Sequence, residues 1–309
     1  MNQLKIANAY FIKLGEGGEW EESSISENKM RIGWRDIPLS DIHNNNWRAI
    51  EQQIRSWSNL QEKKGAATAD INALKKICKS TPRNIWITFH KSCLWWCRLA
   101  DGKIMQDKTS RYREVDGRWR NENLKGELLS ISRIPGQLSQ IQGFRGTVCD
   151  VKEKKILVRL INGIQSPIYK KTQQARNNLI EKVEKAIKGL HWKNFETLVD
   201  LIYRQAGWKR VSWLGQTMKY ADLELEEPIT RELYQVQVKS SADLNDFRNY
   251  ARQFPGRGFR KLYFIVHTPS QNLIKYKSNK EDVELVLPNR LAEMVVDAGL
   301  VSWVMDKVR

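Results

Sequence analysis

Polar side chains alternate with valines near the start of the C-terminal third, in Tyr234-Gln235-Val236-Gln237-Val238-Lys239. This alternation is typical of a β-strand, in which residues two apart share a face. Gln237 and Lys239 therefore lie together, while Val236 and Val238 face a core. Asp222 precedes Gln237 by fifteen residues. An aspartate on one strand, with an oxygen-bearing side chain and a lysine on the next, is the minimum set for metal-assisted phosphodiester hydrolysis.

Each of these side chains has a role in such chemistry. The Asp222 carboxylate supplies the hard oxygen that Mg²⁺ prefers, and Gln237 offers a neutral oxygen ligand. Lys239 is a mobile point charge that suits orienting or deprotonating water and stabilising a transition state. Glu196, on the preceding predicted helix, is placed to reach the same site. The alternative is that all four lie on solvated surfaces; Glu224, which shares the strand face of Asp222, is a substitute for it.

The elements around these residues follow an α/β rhythm. Apolar residues at positions 195, 198, 199, 202 and 203 have the spacing of an amphipathic helix that ends near Gly207. A charged helix over Asn177–Leu190 comes before it. We predict strands over Lys209–Trp213, Tyr220–Leu225, Tyr234–Lys239 and Leu262–Val266, and helices over Asp243–Phe254 and Asn289–Ala298.

This order resembles the PD-(D/E)XK nuclease superfamily, and within it the Mrr-like restriction endonucleases, over about residues 190–309. His191-Trp192-Lys193-Asn194-Phe195-Glu196 is similar to the opening helix of that family, and Gly207-Trp208 to the turn after it. Gln235–Lys239 resembles the active-site strand, with glutamine in place of the usual acid, and Leu262–Pro269 resembles a later strand. The chain departs from the family at Gly215–Ala221, where the family usually places glycine close to the aspartate.

The resemblance implies a restriction-endonuclease-like mixed sheet flanked by helices and a Mg²⁺-dependent DNA endonuclease in which Mn²⁺ can substitute. Asp222, Gln237 and Lys239 would be catalytic. The metal would be held by Asp222 and the Val238 carbonyl with help from Glu196. The partner would be double-stranded DNA, and a homodimer would present two sites for cleavage of both strands. The resemblance implies a role in defence against foreign DNA, as modification-dependent restriction or another anti-phage defence.

Composition agrees with a polyanionic partner. The 309 residues carry a formal net charge of +17, and lysines and arginines at such an excess displace counterions from phosphates. No apolar stretch approaches the roughly 20 residues of a membrane span, and the N-terminus lacks a signal peptide, so we expect a cytoplasmic protein. The four cysteines lack paired metal-ligand spacing and are expected to be reduced core thiols.

The N-terminal half differs in texture, with eight of the twelve tryptophans. Short strands at Ala7–Lys13, Lys29–Trp34, Ile85–Phe89 and Leu94–Leu99, with helices at Trp47–Leu60 and Ala66–Lys79, predict a small β-barrel with helices against it. We therefore expect an α+β or α/β chain of two domains, residues 1–165 and 171–309.

Residues 13–20 and 30–34 resemble the start of PUA-like domains of the EVE and YTH type, small barrels that can take a flipped, often modified, base into an aromatic pocket. The resemblance covers about residues 1–150. The resemblance implies that this part selects modified or distorted DNA, with Trp20, Trp34, Trp95 and Trp96 as pocket candidates. The alternative for each tryptophan is core filling.

Basic residues interleaved with aromatic ones are candidates for DNA-backbone contacts, with solvated loops as the alternative. They are Arg111, Arg113, Arg118, Arg120, Arg257, Arg260 and Lys261. Two other functions stay open at this point. One is a catalytically silent DNA-binding protein with a nuclease fold, and the other is an RNA-acting protein whose barrel binds modified RNA.

Overall fold

The structure, a computed structural model, describes residues 3–57, 64–211, 221–254, 258–277 and 281–309. Its internal contacts divide the chain into two compact units, Met1–Ser166 and Pro167–Arg309. A single helix covers Pro167–Ile187. The predicted start of the second domain at residue 171 therefore lies inside that helix. Among the described residues, no helix is long and apolar enough to cross a membrane.

Unit 1 mixes short strands with helices and three 3₁₀ turns, at Glu16–Gly18, Ile131–Arg133 and Gln140–Gly143. Its elements in chain order are β1 (Ala9–Ile12), α1 (Glu21–Ser26), β2 (Lys29–Ile32), α2 (Leu39–His43), α3 (Trp47–Ser56), α4 (Lys64–Cys78), β3 (Ile85–His90), β4 (Cys93–Cys97), β5 (Met105–Gln106), β6 (Arg111–Glu114), α5 (Gly136–Ser139), β7 (Val148–Asp150) and α6 (Lys154–Ile161).

The strands of unit 1 form two open sheets. One has the order β4-β3-β1-β7, with β1 and β3 parallel and the other pairs antiparallel. The other is antiparallel, in the order β2-β6-β5. Isolated bridges such as Leu99 to Val115 link the two groups of strands without completing a ladder. In the part of the chain that is described, neither sheet closes, so the prediction of a barrel is wrong while the α+β class is confirmed.

Unit 2 begins with α7 (Pro167–Ile187), and the strands of its described residues form a five-stranded mixed sheet. The remaining elements are α8 (Trp192–Gln205), β8 (Lys209–Arg210), β9 (Leu223–Glu226), β10 (Leu233–Ala242), α9 (Leu244–Gln253), β11 (Lys261–Pro269), α10 (Gln271–Ile274), β12 (Val283–Val286), α11 (Pro288–Asp297) and α12 (Val301–Lys307).

The strand order of this sheet is β12-β11-β10-β9-β8. The pairs β10–β11 and β11–β12 are parallel, whereas β9 pairs antiparallel with β10 and with β8. One face packs on a core that includes residues of α7, α8, α11 and α12, and the other packs on α9 and α10. The predicted mixed sheet with flanking helices is therefore confirmed.

Two helices show why the sequence folds this way locally. In α8 the predicted stripe is buried, including Phe195, Leu198 and Val199, and the chain leaves the helix at Gly207 with a φ of 86°, a conformation that glycine adopts at little cost. In α9 a capping box joins Asp243 and Asp246, whose side chains accept hydrogen bonds from each other's backbone N–H groups. These signals fix the helices on either side of β10.

Several predicted bounds shift. The helix predicted over Trp47–Leu60 ends at Ser56 in α3, and residues 58–60 lie outside the described residues. Likewise, the predicted strand Lys209–Trp213 is seen as β8 up to Arg210, and its last two residues are not described. The strand predicted over Tyr220–Leu225 begins at Leu223, so Asp222 lies immediately before β9 rather than inside it.

Candidate functional site

Successive side chains of the central strand β10 point to opposite faces of the sheet, as the alternating sequence predicts. In the parallel register, Gln237 lies beside Phe264 and Lys239 beside Val266, and both partners belong to the core on the α9 side. Val236 and Val238 belong to the opposite core, which holds α8. The predicted pairing of Gln237 with Lys239 on one face is confirmed.

Asp222 is drawn onto β10 by three hydrogen bonds. Its backbone N–H donates to the Val236 carbonyl at 3.0 Å. Its Oδ2 accepts from the Val238 N–H at 2.6 Å and from the Nε2 of Gln237. The side chains of Asp222 and Gln237, fifteen residues apart in sequence, are therefore in contact. Burial raises the pKa of Asp222, while the Val238 N–H bond and the charge of Lys239 act to lower it.

Glu196, on α8, interacts with the charges of Asp222 and Lys239. Burial and the nearby Asp222 carboxylate raise the pKa of Glu196, and the charges of Arg210, Lys239 and Lys193 act in the opposite direction. For both carboxyl groups, the loss of water on burial outweighs the positive charge of Lys239 and, for Glu196, also that of Arg210 and Lys193. A bound cation would supply further positive charge.

Lys239 is held by α9, a contact that the sequence did not reveal. Its Nζ lies 5.2 Å from the centroid of the Tyr250 ring. Burial acts to lower the pKa of Lys239, but a hydrogen bond and charge interaction with Tyr250, together with the charges of Asp222 and Asp246, outweigh it and raise the pKa. Lys239 is consequently an ammonium ion at neutral pH, suited to stabilising negative charge rather than to removing a proton from water.

The residues around Asp222 and Lys239 meet some of the requirements of a magnesium site. Mg²⁺ in proteins commonly uses one or two carboxylates and keeps several waters, and Asp222 and Glu196 supply such a pair. Among the described residues, however, no group of three or more His, Cys, Asp or Glu side chains could hold a metal ion. Gln237 presents its amide nitrogen to Asp222, and Val238 presents its N–H. A metal contact by the Gln237 oxygen or the Val238 carbonyl stays a prediction.

Glu224, the predicted substitute for Asp222, has a different environment. It lies beside Gln235 in the β9–β10 register, and the Nε2 of Gln235 is 3.5 Å from its Oε1. In this register Glu224 lies two residues further along β10 from Lys239 than Asp222 does. Asp222 is therefore the better-placed acid.

Unit 1 contains a cavity of about 730 Å³. Three tryptophans line it, Trp20, Trp34 and Trp57, so the structure brings two of the four predicted pocket tryptophans together. A Cβ added at Gly15 would lie 3.1 Å from the Trp20 ring, and one at Gly33 would lie 4.0 Å from it. The ring of Trp20 is thus packed beside glycine backbone that leaves room for it.

Trp34 has a backbone that a bulky residue rarely adopts, with a φ of 59°. Such a conformation costs on the order of 1–3 kcal/mol and persists only where the surroundings impose it. Arg111 supplies that constraint, because its guanidinium donates to the carbonyls of Trp34, Arg35 and Ile37. The strained turn, and with it the indole in the cavity, is held by a buried arginine.

Trp95 and Trp96 do not line this cavity. Trp96 is 5% exposed, belongs to the core beside α6, and donates from Nε1 to the Glu122 carbonyl. Trp95 packs against the other core of unit 1 and donates to the His90 carbonyl. Core filling, the alternative for every tryptophan, is the correct interpretation for these two.

Two of the predicted DNA-backbone contacts are wrong. Arg111 and Arg113 are each 2% exposed, because both side chains of this alternating strand point inward. Arg113 donates to the carbonyls of Ile77 and Ala100. A guanidinium enclosed by backbone carbonyls cannot reach a phosphate.

The other basic candidates keep access to solvent. Arg118, Arg120 and Arg260 are exposed, and Lys261 is half-buried and paired with Glu284 at 3.1 Å. Arg257 lies outside the described residues. These contacts with DNA stay predictions.

Trp57 and Asp70 of the cavity and Tyr250 of the β10 site were missed by sequence reasoning. Trp57 directly follows α3, and Asp70 lies on α4, so neither belongs to the segments that suggested a pocket. Tyr250 lies four residues after Asp246, the spacing that puts both on one side of α9. That spacing was the available signal, since the helix follows directly on the strand of Lys239.

No protein-family model matches this chain, and no curated protein matches it either.

Proposed function

We propose that this chain is a magnesium-dependent DNA endonuclease of the Mrr-like, PD-(D/E)XK kind. The observation that supports it best is the contact between Asp222 and β10, which gathers a half-buried carboxylate, Gln237 and the charged Lys239 at one point of a mixed sheet. Glu196 adds a second carboxylate from α8.

The residues divide the reaction between them. When bound, Mg²⁺ would act as a Lewis acid toward the scissile phosphate and lower the pKa of a water ligand; Mn²⁺ would substitute. Asp222 and Glu196 would hold the ion. Lys239, an ammonium ion at neutral pH, would orient the attacking hydroxide and stabilise the negative charge that develops on the phosphate oxygens. Gln237 would fix the orientation of the Asp222 carboxylate through its hydrogen bond.

Unit 1 would select the substrate. In this proposal it is an open relative of the PUA-like domains, and the cavity with Trp20 and Trp34 takes a modified base out of double-stranded DNA. The enzyme would act in the cytoplasm in restriction of foreign DNA, as a homodimer when both strands are cut. The net charge of +17 favours a polyanionic partner.

The test is nicking of supercoiled plasmid by the purified protein with Mg²⁺. Lys239→Ala should reduce the rate by at least about a hundredfold, the order of loss seen when a single transition-state donor is removed. Lys185→Ala is the matched control, because this lysine is exposed on α7 and pairs only with Glu181 among the described residues. EDTA should stop the wild-type reaction.

Equal nicking by the wild type and Lys239→Ala would remove the assignment of the site. The same assay addresses a second candidate, a silent DNA-binding protein, which is favoured by the neutral Gln237 at a position where an acid would bind metal. Plasmid retention without nicking in Mg²⁺ or Mn²⁺ would establish that candidate. Tight binding of single-stranded RNA with none of duplex DNA at equal salt would instead favour the RNA-acting alternative.

A further inference from the structure

The cavity of unit 1 has an unusual charge for this protein. The chain as a whole carries an excess of seventeen positive charges, yet among the described residues of the cavity wall acidic side chains outnumber basic ones. The charged lining residues are Glu16, Glu19, Asp36 and Asp70, against Lys13 and Arg145. A wall of this kind repels phosphate and attracts a cation.

Its aromatic walls favour the same ligand. The faces of indole rings attract cations through their quadrupole, and tryptophan is the strongest of the aromatic residues in this respect. Trp20, Trp34 and Trp57 supply three such rings around one space. The volume of about 730 Å³ lies within the range of roughly 300–1,000 Å³ that is typical of ligand pockets.

Asp70 adds a specific attraction. It is half-buried on α4, and burial is the single cause that raises its pKa. A carboxylate that loses water without gaining a positive neighbour is stabilised by any cation that enters beside it. A neutral base gives no such compensation.

We propose that this cavity takes a nucleobase that carries a positive charge because a ring nitrogen is alkylated, in preference to a neutral modified base of the same size. The inference rests on the proposed function in that the base arrives on a DNA strand. Beyond that function, the proposal states that the cavity selects the base by its positive charge. Alkylated DNA, rather than DNA with neutral methyl marks, is then the substrate class.

The test uses two isomeric bases that differ in charge. Single-stranded oligonucleotides of one sequence carry either 1-methyladenine, a cation near neutral pH, or N6-methyladenine, which is neutral. An unpaired base removes the cost of flipping, and the identical backbone cancels the phosphate contribution. Fluorescence anisotropy with the full chain, without Mg²⁺, should give roughly tenfold tighter binding of the 1-methyladenine strand.

Variants locate the effect. Asp70→Asn should reduce the preference to about threefold or less, and Asp36→Asn, at an exposed position, should also reduce the preference. Asp101→Asn removes the same charge from an exposed residue outside the cavity lining and should leave the preference unchanged.

Equal or tighter binding of the N6-methyladenine strand would overturn the proposal, and so would an unchanged preference in both Asp70→Asn and Asp36→Asn. The binding measurements are made without metal and do not depend on cleavage. A protein that fails to nick plasmid but prefers the cationic base would lose its assignment as a nuclease and keep this one.

Discussion

A substitution of Arg111 tests whether this arginine stabilises the fold or contacts DNA. Its side chain is 2% exposed, and its guanidinium donates to three backbone carbonyls between Trp34 and Ile37 and, through Nε, to the Gln106 side chain at 3.1 Å. Arg111→Met keeps an unbranched side chain in the place of the arginine stem and removes every side-chain donor. The carbonyls of the strained turn would then lose their partners.

The size of the effect follows from these bonds. A hydrogen bond from a charged donor contributes about 1.5–3 kcal/mol, and the three main-chain bonds form one unit whose contributions do not add fully. The cost of burying the guanidinium, which lowers the pKa of Arg111, offsets part of the sum. We expect Arg111→Met to lower the free energy of unfolding by about 2–4 kcal/mol.

Urea unfolding followed by tryptophan fluorescence measures this loss as a shift of the midpoint at constant slope. The control is Arg118→Met, which removes an exposed arginine and should stay within about 0.5 kcal/mol of the wild type. A loss below about 0.5 kcal/mol for Arg111→Met, with a salt slope of DNA binding reduced by about 1, would instead identify Arg111 as a phosphate contact and refute the reasoning.

Two further predictions concern unit 2. Because burial raises the pKa of Asp222, the folded state holds the carboxyl proton to higher pH than the unfolded state does, so the folded metal-free protein loses stability as pH rises through that pKa. Asp222→Asn should therefore raise the Tm at pH 7 without Mg²⁺. An unchanged or lower Tm would contradict this prediction. Asp243→Ala removes the cap that accepts from the N–H groups of Asn245 and Asp246 and should cost about 1 kcal/mol in urea unfolding, whereas Asp306→Ala, near the end of α12, should cost far less.

The C-terminal half was the more predictable part of the chain. Alternation in β10 and the apolar stripe of α8 are local patterns, and each has one structural solution, so the faces of Gln237 and Lys239 followed from the sequence. The contact of Asp222 with β10 depends on strand pairing, which sequence order only suggested. Tyr250 was missed because its role depends on where α9 packs.

The N-terminal half was less predictable because its short strands have no local feature that decides between a closed and an open sheet. Adjacent tryptophans illustrate this, since the alternation of β4 separates Trp95 from Trp96 but does not say which core receives each. For Arg111 and Arg113 a signal existed. Residues two apart on a strand share a face, so the sequence predicts that both arginines are buried or both are exposed. In the structure both are buried.

The left-handed backbone at Trp34 has a consequence for how this chain can change over generations. Glycine or asparagine would occupy the same φ of 59° with less strain, so drift under selection for stability alone would replace the indole. A tryptophan that is kept at this position would have to provide a benefit through the ring itself. The chain therefore has less tolerance for other destabilising substitutions around the turn, and sequence change in this region is restricted by the indole as well as by the fold.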